Sequence, residues 1–237
     1  SVATYDSDPQ YFGVTDSYYY FMADDGIHGV ELWKTDGTQE GTGLVKDIYP
    51  GEDDCFWGST EMYGLGDTLY FLADDGVHGE ELWKSDGTEA GTFMVKDIAP
   101  GEDSSIPMDF SSIGDVLIFS ADNYETGSEL WRSDGTEAGT FLVKDINTGY
   151  YGSVYSEYEF TRMGDYLYFK AQDGINGIEL WRTNGTEDGT TLVKDIYVDG
   201  VNGDGFPYGF VLFNNELFFN ADTDAYGAEL WKSDGTE

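Results

Sequence analysis

Carboxylates, and the aromatic rings near them, are the side chains of this chain best placed to do chemistry. Its 237 residues include 47 Asp and Glu against 11 Lys and Arg, a net charge of −36. Acidic residues gather beside glycine at Asp24-Asp25, at Asp74-Asp75 and at Asp222 with Asp224. Calcium takes about six to eight oxygens from carboxylates, carbonyls and water, often in a loop bent by glycine. An Asp-Asp-Gly turn followed by Glu31 or Glu81 supplies several of them. A second candidate is Asp199-Gly200-Val201-Asn202-Gly203-Asp204-Gly205, where Asp199, Asn202 and Asp204 bring three oxygen-bearing side chains within six residues. No stretch has the EF-hand spacing, and the plain alternative for both is a turn capped by its own aspartates. Calcium is the one cofactor that these residues leave open.

The aromatic candidates are Tyr11-Phe12, Phe56-Trp57, Tyr150-Tyr151 with Tyr155 and Tyr158, and Phe206-Pro207-Tyr208. Rings beside acids and amides suit sugars, which offer C–H faces to stack on and hydroxyls to hydrogen-bond. Tyr11, Trp57, Tyr151, Tyr155 and Tyr208 are therefore the candidate ligand-binding residues; the alternative is that these rings only cover strand ends. Catalysis has little support. Acid pairs are so common that none stands out as a glycosidase pair, and the G-x-S-x-G nucleophile motif is absent. His28 and His78 occupy equivalent turns, as turn residues do. The lone Cys55 excludes a disulfide framework and a cysteine-rich zinc site. Asn184-Gly185-Thr186 is a glycosylation acceptor sequence, but it also reads as a turn. No enzyme is expected.

The candidates hang on a repeat. Trp33, Trp83, Trp131, Trp181 and Trp231 are spaced by 50, 48, 50 and 50 residues. A period of that size marks a propeller or a solenoid, in which each unit buries its apolar surface against its neighbours. In the second unit, Ser59 to Leu65 reads as a weak strand and Thr68 to Ala73 as a strong one. Glu81 to Lys84 and Thr92 to Ile98 follow after Asp- and Gly-rich turns. Leu69-Tyr70-Phe71-Leu72 is apolar on both faces, so both faces must be covered. Four antiparallel strands per unit, no helical periodicity and this period predict an all-β, five-bladed β-propeller in a single domain. Its units run approximately over 11–55, 56–105, 106–153, 154–205 and 206–237 with 1–10. Aligned on Asp and Pro, Ser1 to Pro9 matches Thr92 to Pro100, so the N-terminal strand is expected to complete the last blade. The alternative is a segment of a longer array. Recurrence on an inner strand places the five tryptophans between blades rather than on sugars. Nine of the eleven basic residues stand at two repeat positions, beside recurring acids, and predict one cross-strand ion pair per blade.

The segments Glu31-Leu32-Trp33 with Asp36-Gly37-Thr38, Glu81 to Thr88, Glu129 to Thr136 and Glu229 to Thr236 resemble the ELWxxDGT repeat family, and Glu179 to Thr186 departs from it only by Asn184. That resemblance covers essentially the whole chain and implies a secreted or surface-associated bacterial protein. It assigns no chemistry to particular residues. In architecture alone, five blades of this size are also similar to tachylectin-type sugar-binding propellers.

Charge narrows the partners. No basic patch exists to displace the counterions of nucleic acid, and an anionic membrane surface is disfavoured by the same sign. No stretch approaches the length of a membrane span. The first residues, Ser1-Val2-Ala3-Thr4, carry neither an initiator Met nor a signal peptide, which hints at a processed, exported chain. The expectation is an extracellular or cell-surface, non-catalytic binding or adhesion module for a glycan or another extracellular protein, with calcium optional and homo-oligomerisation open. The rival is a structural subunit of an extracellular matrix or filament stabilised by divalent cations. An enzyme with a pocket at the propeller mouth ranks third.

Overall fold

The structure, a computed structural model, describes residues 6–56, 58, 61–153, 160–198, 203–223 and 225–236. It is all-β among those residues, with strands gathered into five antiparallel sheets. The first sheet runs β1 (Gln10–Val14), β2 (Tyr19–Asp24), β3 (Val30–Thr35), β4 (Gly43–Lys46), and the second β5 (Met62–Leu65), β6 (Thr68–Asp74), β7 (Glu80–Ser85), β8 (Phe93–Lys96). The third runs β9 (Met108–Ile113), β10 (Val116–Asp122), β11 (Ser128–Ser133), β12 (Phe141–Lys144), and the fourth β13 (Thr161–Met163), β14 (Tyr166–Gln172), β15 (Ile178–Thr183), β16 (Thr191–Lys194). The fifth has three strands, β17 (Tyr208–Phe213), β18 (Glu216–Thr223) and β19 (Gly227–Ser233).

Turn chemistry sets these registers. Leu65 pairs with Thr68 across a two-residue hairpin, and Gly66 takes φ +59 there. In the fifth sheet Asn214 and Asn215 do the same at φ 51 and 63, as a type I′ hairpin requires. The turn after each third strand is tied by its acid: the N–H and Oγ1 of Thr88 donate to Asp86 Oδ1 at 2.8 and 2.7 Å. Asn184 serves equally, accepting from Thr186 at 3.1 and 2.6 Å, because only a side-chain carbonyl-type oxygen is needed.

The chain forms two compact units, one of 1–110 with 121–123 and 135–140, the other of 111–120, 124–134 and 141–237. Within the first, Trp83 is 5% exposed and packs in one cluster with Leu32, Val45, Ile48 and Phe71. In the second, Trp181 packs with Ile118, Leu130, Val143 and Phe169. The repeated tryptophans are core, as their recurrence predicts.

The repeated cations do not form the expected ion pairs. Lys46 Nζ donates to Thr92 O at 2.7 Å and lies 5.6 Å over the Trp83 ring. Lys84 reaches Gly135 O at 2.7 Å, and Arg132 reaches Gly185 O at 3.1 Å. Among the described residues, ion pairs join only His28–Asp25, His78–Asp75 and Lys232–Glu216. The cause is strand alternation: Glu31 and Lys34, three apart, face opposite sides of β3.

The N-terminal register also differs from the Asp–Pro alignment. The N–H of Asp24 donates to Ser7 O at 3.2 Å, as Asp74 donates to Cys55 O, Asp122 to Ser105 O, Gln172 to Ser153 O and Asp222 to Gly205 O. Ser7 is thus the counterpart of Cys55. Counted back from it, the residues before Ser7 fall at the repeat position of the link 49–54 and do not reach the fourth strand. Side chains could not show this, because the acceptor is a backbone carbonyl that any residue provides.

Candidate functional site

Each of the first four sheets holds a buried glutamate at the start of its third strand: Glu31, Glu81, Glu129 and Glu179, all 0% exposed. Glu81 accepts from Ile98 N at 3.0 Å, Ala99 N at 2.9 Å and Ser105 Oγ at 2.6 Å. Glu129 repeats this with Ile146 N and Asn147 N, both at 3.1 Å, and Ser153 Oγ at 2.6 Å. Glu179 takes Ile196 N at 2.8 Å and Gly205 N at 3.0 Å. Glu31 takes Ile48 N at 2.9 Å and Tyr49 N at 3.0 Å, and the Cys55 thiol stands where serine stands elsewhere. Each carboxylate therefore clamps the end of its fourth strand to the segment entering the next sheet. Burial pushes all four carboxyls up to about 7, against the pull of their donors. Burial and Glu31 push the Cys55 thiol up as well, so it stays protonated and donates. A carboxyl titrating near neutrality suggests acid–base catalysis. Here burial closes the group to any substrate and the backbone occupies its oxygens, so the role is structural. Sequence reading assigned these residues to ion pairs. The usable signal was the constant 17-residue interval from each glutamate to the isoleucine after Lys-Asp.

The aspartates of the calcium candidates cap their own turns. Asp24 Oδ1 accepts from Gly26 N at 2.6 Å, and Asp25 Oδ1 from Ile27 N and His28 N at 2.9 and 3.0 Å. Asp74 and Asp75 repeat the arrangement with Gly76, Val77 and His78. Burial works to raise the Asp25 and Asp75 carboxyls, but bonds from the histidine and the turn N–H groups outweigh it and hold both low. Hydrogen bonding to these aspartates raises His28 and His78 in turn. Asp204 Oδ1 accepts from Ile178 N at 2.9 Å, as Asp54 does from Val30 N at 2.7 Å, so it holds a repeat position. The Asp222 N–H donates to Gly205 O. Asp199, Asn202 and Asp224 lie outside the described residues. Among the described residues, no three His, Cys, Asp or Glu side chains gather in a metal-ligating group.

Tyr11 alone of the aromatic candidates lines a cavity. Its hydroxyl donates to Gly58 O at 2.5 Å, and its ring meets Phe56 edge-on, centroids 4.8 Å apart. The cavity, of about 320 Å³, is lined by Asp6, Asp8, Gln10, Tyr11, Asp24 and Phe56 among others. A wall of aromatic edge and face is thus set opposite carboxylates and an amide. Asp24 also borders a second, polar cavity of about 200 Å³ that holds Glu52 and Asp54. Tyr151 is 81% exposed and Tyr208, opening β17, is 48% exposed. Neither stands with Tyr11, and Trp57 and Tyr155 lie outside the described residues. Phe56, which packs beneath Tyr11, and Gln10, on the cavity wall, were not singled out by the sequence.

No protein-family model matches the chain, and no curated protein is significantly similar to it. Solved structures share the architecture. A puromycin hydrolase is similar at 12% identity and TM-score 0.53, over 97% of this chain and 36% of that one. Oligopeptidase B from Leishmania major is similar at 12% identity and TM-score 0.51, over 97% of this chain and 32% of that one. A puromycin-hydrolysing peptidase from Mycobacterium tuberculosis shows 9% identity and TM-score 0.51, over 96% and 36%. The chain spans about a third of the length of these proteins, and identity this low speaks for the fold alone: an all-β chain whose four-stranded antiparallel sheets resemble propeller blades.

Proposed function

We propose that this chain is an extracellular, non-catalytic glycan-binding module built on a five-bladed β-propeller. Five sheets of one strand order support the blade count. The N-terminal segment supplies the last blade's link: Ser7 holds in its sheet the place that Cys55, Ser105, Ser153 and Gly205 hold in theirs. The ligand site is the Tyr11 cavity, and the observation that carries the reading is its composition. Tyr11 and Phe56 offer a stacking surface, while Asp8, Gln10 and Asp24 offer acceptors and an amide for hydroxyls. The strong negative charge selects neutral or cationic glycans over sulfated or phosphorylated ones. In a glycan array followed by calorimetric titration of the best hit, Tyr11→Ala weakens binding about tenfold or more, the scale of losing ~1.4 kcal/mol of stacking and hydrogen bonding. An array without a saturable hit, or a hit indifferent to Tyr11→Ala, refutes the assignment.

The polar cavity of Asp24, Glu52 and Asp54 favours a second reading, a structural subunit held by calcium. In that reading, added calcium raises the melting midpoint by roughly 5 °C at 100 times its Kd, the effect of ~2.7 kcal/mol of native-state binding. Glu52→Gln removes that rise, and calcium promotes self-association. A midpoint equal in calcium and in chelator excludes it.

A further inference from the structure

The fifth sheet has no fourth strand, and the place beside it is a cavity of about 390 Å³ lined by Leu180, Val193, Ile196, Phe219, Trp231 and Lys194 among others. Its other signs agree. Leu230 is 72% exposed, whereas its counterparts Leu32, Leu82, Leu130 and Leu180 are 0, 0, 0 and 1% exposed. Glu229 is exposed, whereas Glu31, Glu81, Glu129 and Glu179 are buried under N–H donors. Lys194 is exposed at the cavity, whereas Lys46 and Lys144 donate to the carbonyls of Thr92 and Thr190, at the start of the next sheet's fourth strand.

We propose that this slot binds, in trans, an extended peptide of the type Thr-x-Leu-Val-Lys-Asp-Ile, which adds to the edge of β19 as a fourth antiparallel strand. The four complete sheets show what covers the equivalent place. In the third, Leu130 pairs with Lys144, Trp131 with Leu142 and Arg132 with Phe141. Transferred to the slot, Leu230 faces the peptide lysine, Trp231 the leucine and Lys232 the residue after threonine. The valine enters the apolar pocket, as Val143 and Val193 do at 4% exposure in their own sheets. The N–H groups of the isoleucine and of the residue after it meet the Glu229 carboxylate, and the threonine carbonyl meets Lys194. Main-chain bonds give such a strand its affinity and the alternate side-chain pockets its selectivity. An open apolar edge left unfilled is an aggregation hazard, which gives the slot a physical reason to be occupied.

The test uses the whole chain and a synthetic ten-residue peptide copying residues 138–147, Ala-Gly-Thr-Phe-Leu-Val-Lys-Asp-Ile-Asn. Titration of fluorescently labelled peptide gives saturable one-to-one binding, and amide exchange slows at Leu230, Trp231 and Lys232. The same peptide with valine changed to aspartate binds at least tenfold more weakly, and a scrambled peptide does not bind. Absence of saturable binding, protection away from β19, equal binding of the aspartate peptide, or a concentration-dependent dimer that excludes the peptide each overturns the proposal. The glycan readout at Tyr11 lies in other sheets, so failure of one experiment leaves the other standing.

Discussion

Glu129→Ala lowers the stability of the protein by about 3–5 kcal/mol, while Glu229→Ala, at the same repeat position, changes it by less than about 0.5 kcal/mol. Truncating Glu129 removes the partner of three donors at once: Ile146 N, Asn147 N and Ser153 Oγ. A buried donor left unsatisfied costs about 1–3 kcal/mol, and water entering the vacated space offsets part of the sum. Glu229 is exposed, and its replacement takes nothing out of a buried network. At about 2–4 °C per kcal/mol for a chain of this size, the first variant melts roughly 6–20 °C lower and the second hardly moves. Thermal unfolding of the two variants beside the unmodified chain, followed by circular dichroism, reads the contrast. Equal midpoints for the two would remove the clamp as a source of stability.

That clamp marks where sequence reading stopped. The periodic tryptophans, the apolar inner strands and the Gly–Asp turns are local signals, and the strands fall where those signals place them: β6 at Thr68–Asp74 and β8 at Phe93–Lys96 sit within the expected segments. The turn aspartates were legible as caps for the same reason, since Asp25 bonds only to residues two and three ahead of it. Glu129 and Ser153, in contrast, lie 24 residues apart, and neither type announces the other. A glutamate among lysines suggests an ion pair until the alternation of the strand separates them. The Tyr11 cavity is half legible. Tyr11 stood out as an aromatic loop residue, but the ring beneath it comes from Phe56, and only the packing of the first sheet near the second brings the two together. The Ser7 register was out of reach, because a backbone carbonyl leaves no mark on residue type.

Stability rises as the solution is acidified from pH 8 to about pH 5, opposite to the behaviour of a protein held by salt-bridged carboxylates. Burial raises the four clamp glutamates from 4.5 to about 7 in the folded chain. Between those values the folded state binds more protons than the unfolded one, so their contribution is complete below about pH 4.5 and is lost as pH rises through 7. A shift of this size is worth on the order of 3 kcal/mol for one group. Glu81 and Glu129 can take up the proton without losing a partner. The new O–H donates to the serine oxygen, and the serine hydroxyl, which rotates freely, turns away. His28 and His78, raised by hydrogen bonds from Asp25 and Asp75, act in the same direction. Asp36, Asp86 and Asp234 act oppositely, but only below about pH 4, since hydroxyl and N–H bonds from Thr38, Thr88 and Thr236 hold them under their ordinary value of 3.8. The optimum therefore lies near pH 5, with a midpoint at least roughly 6 °C above that at pH 8. Relief of the −36 surface charge would also favour acid, but that repulsion is screened by salt, whereas the buried carboxyls are not. The rise accordingly persists in 0.5 M salt (a Debye length of about 4 Å), and Glu129→Gln, which cannot titrate, shrinks it by about a quarter. A flat profile in high salt, or an optimum at pH 7 to 8, would mean that the clamp carboxyls stay ionised and that their hydrogen bonds outweigh burial.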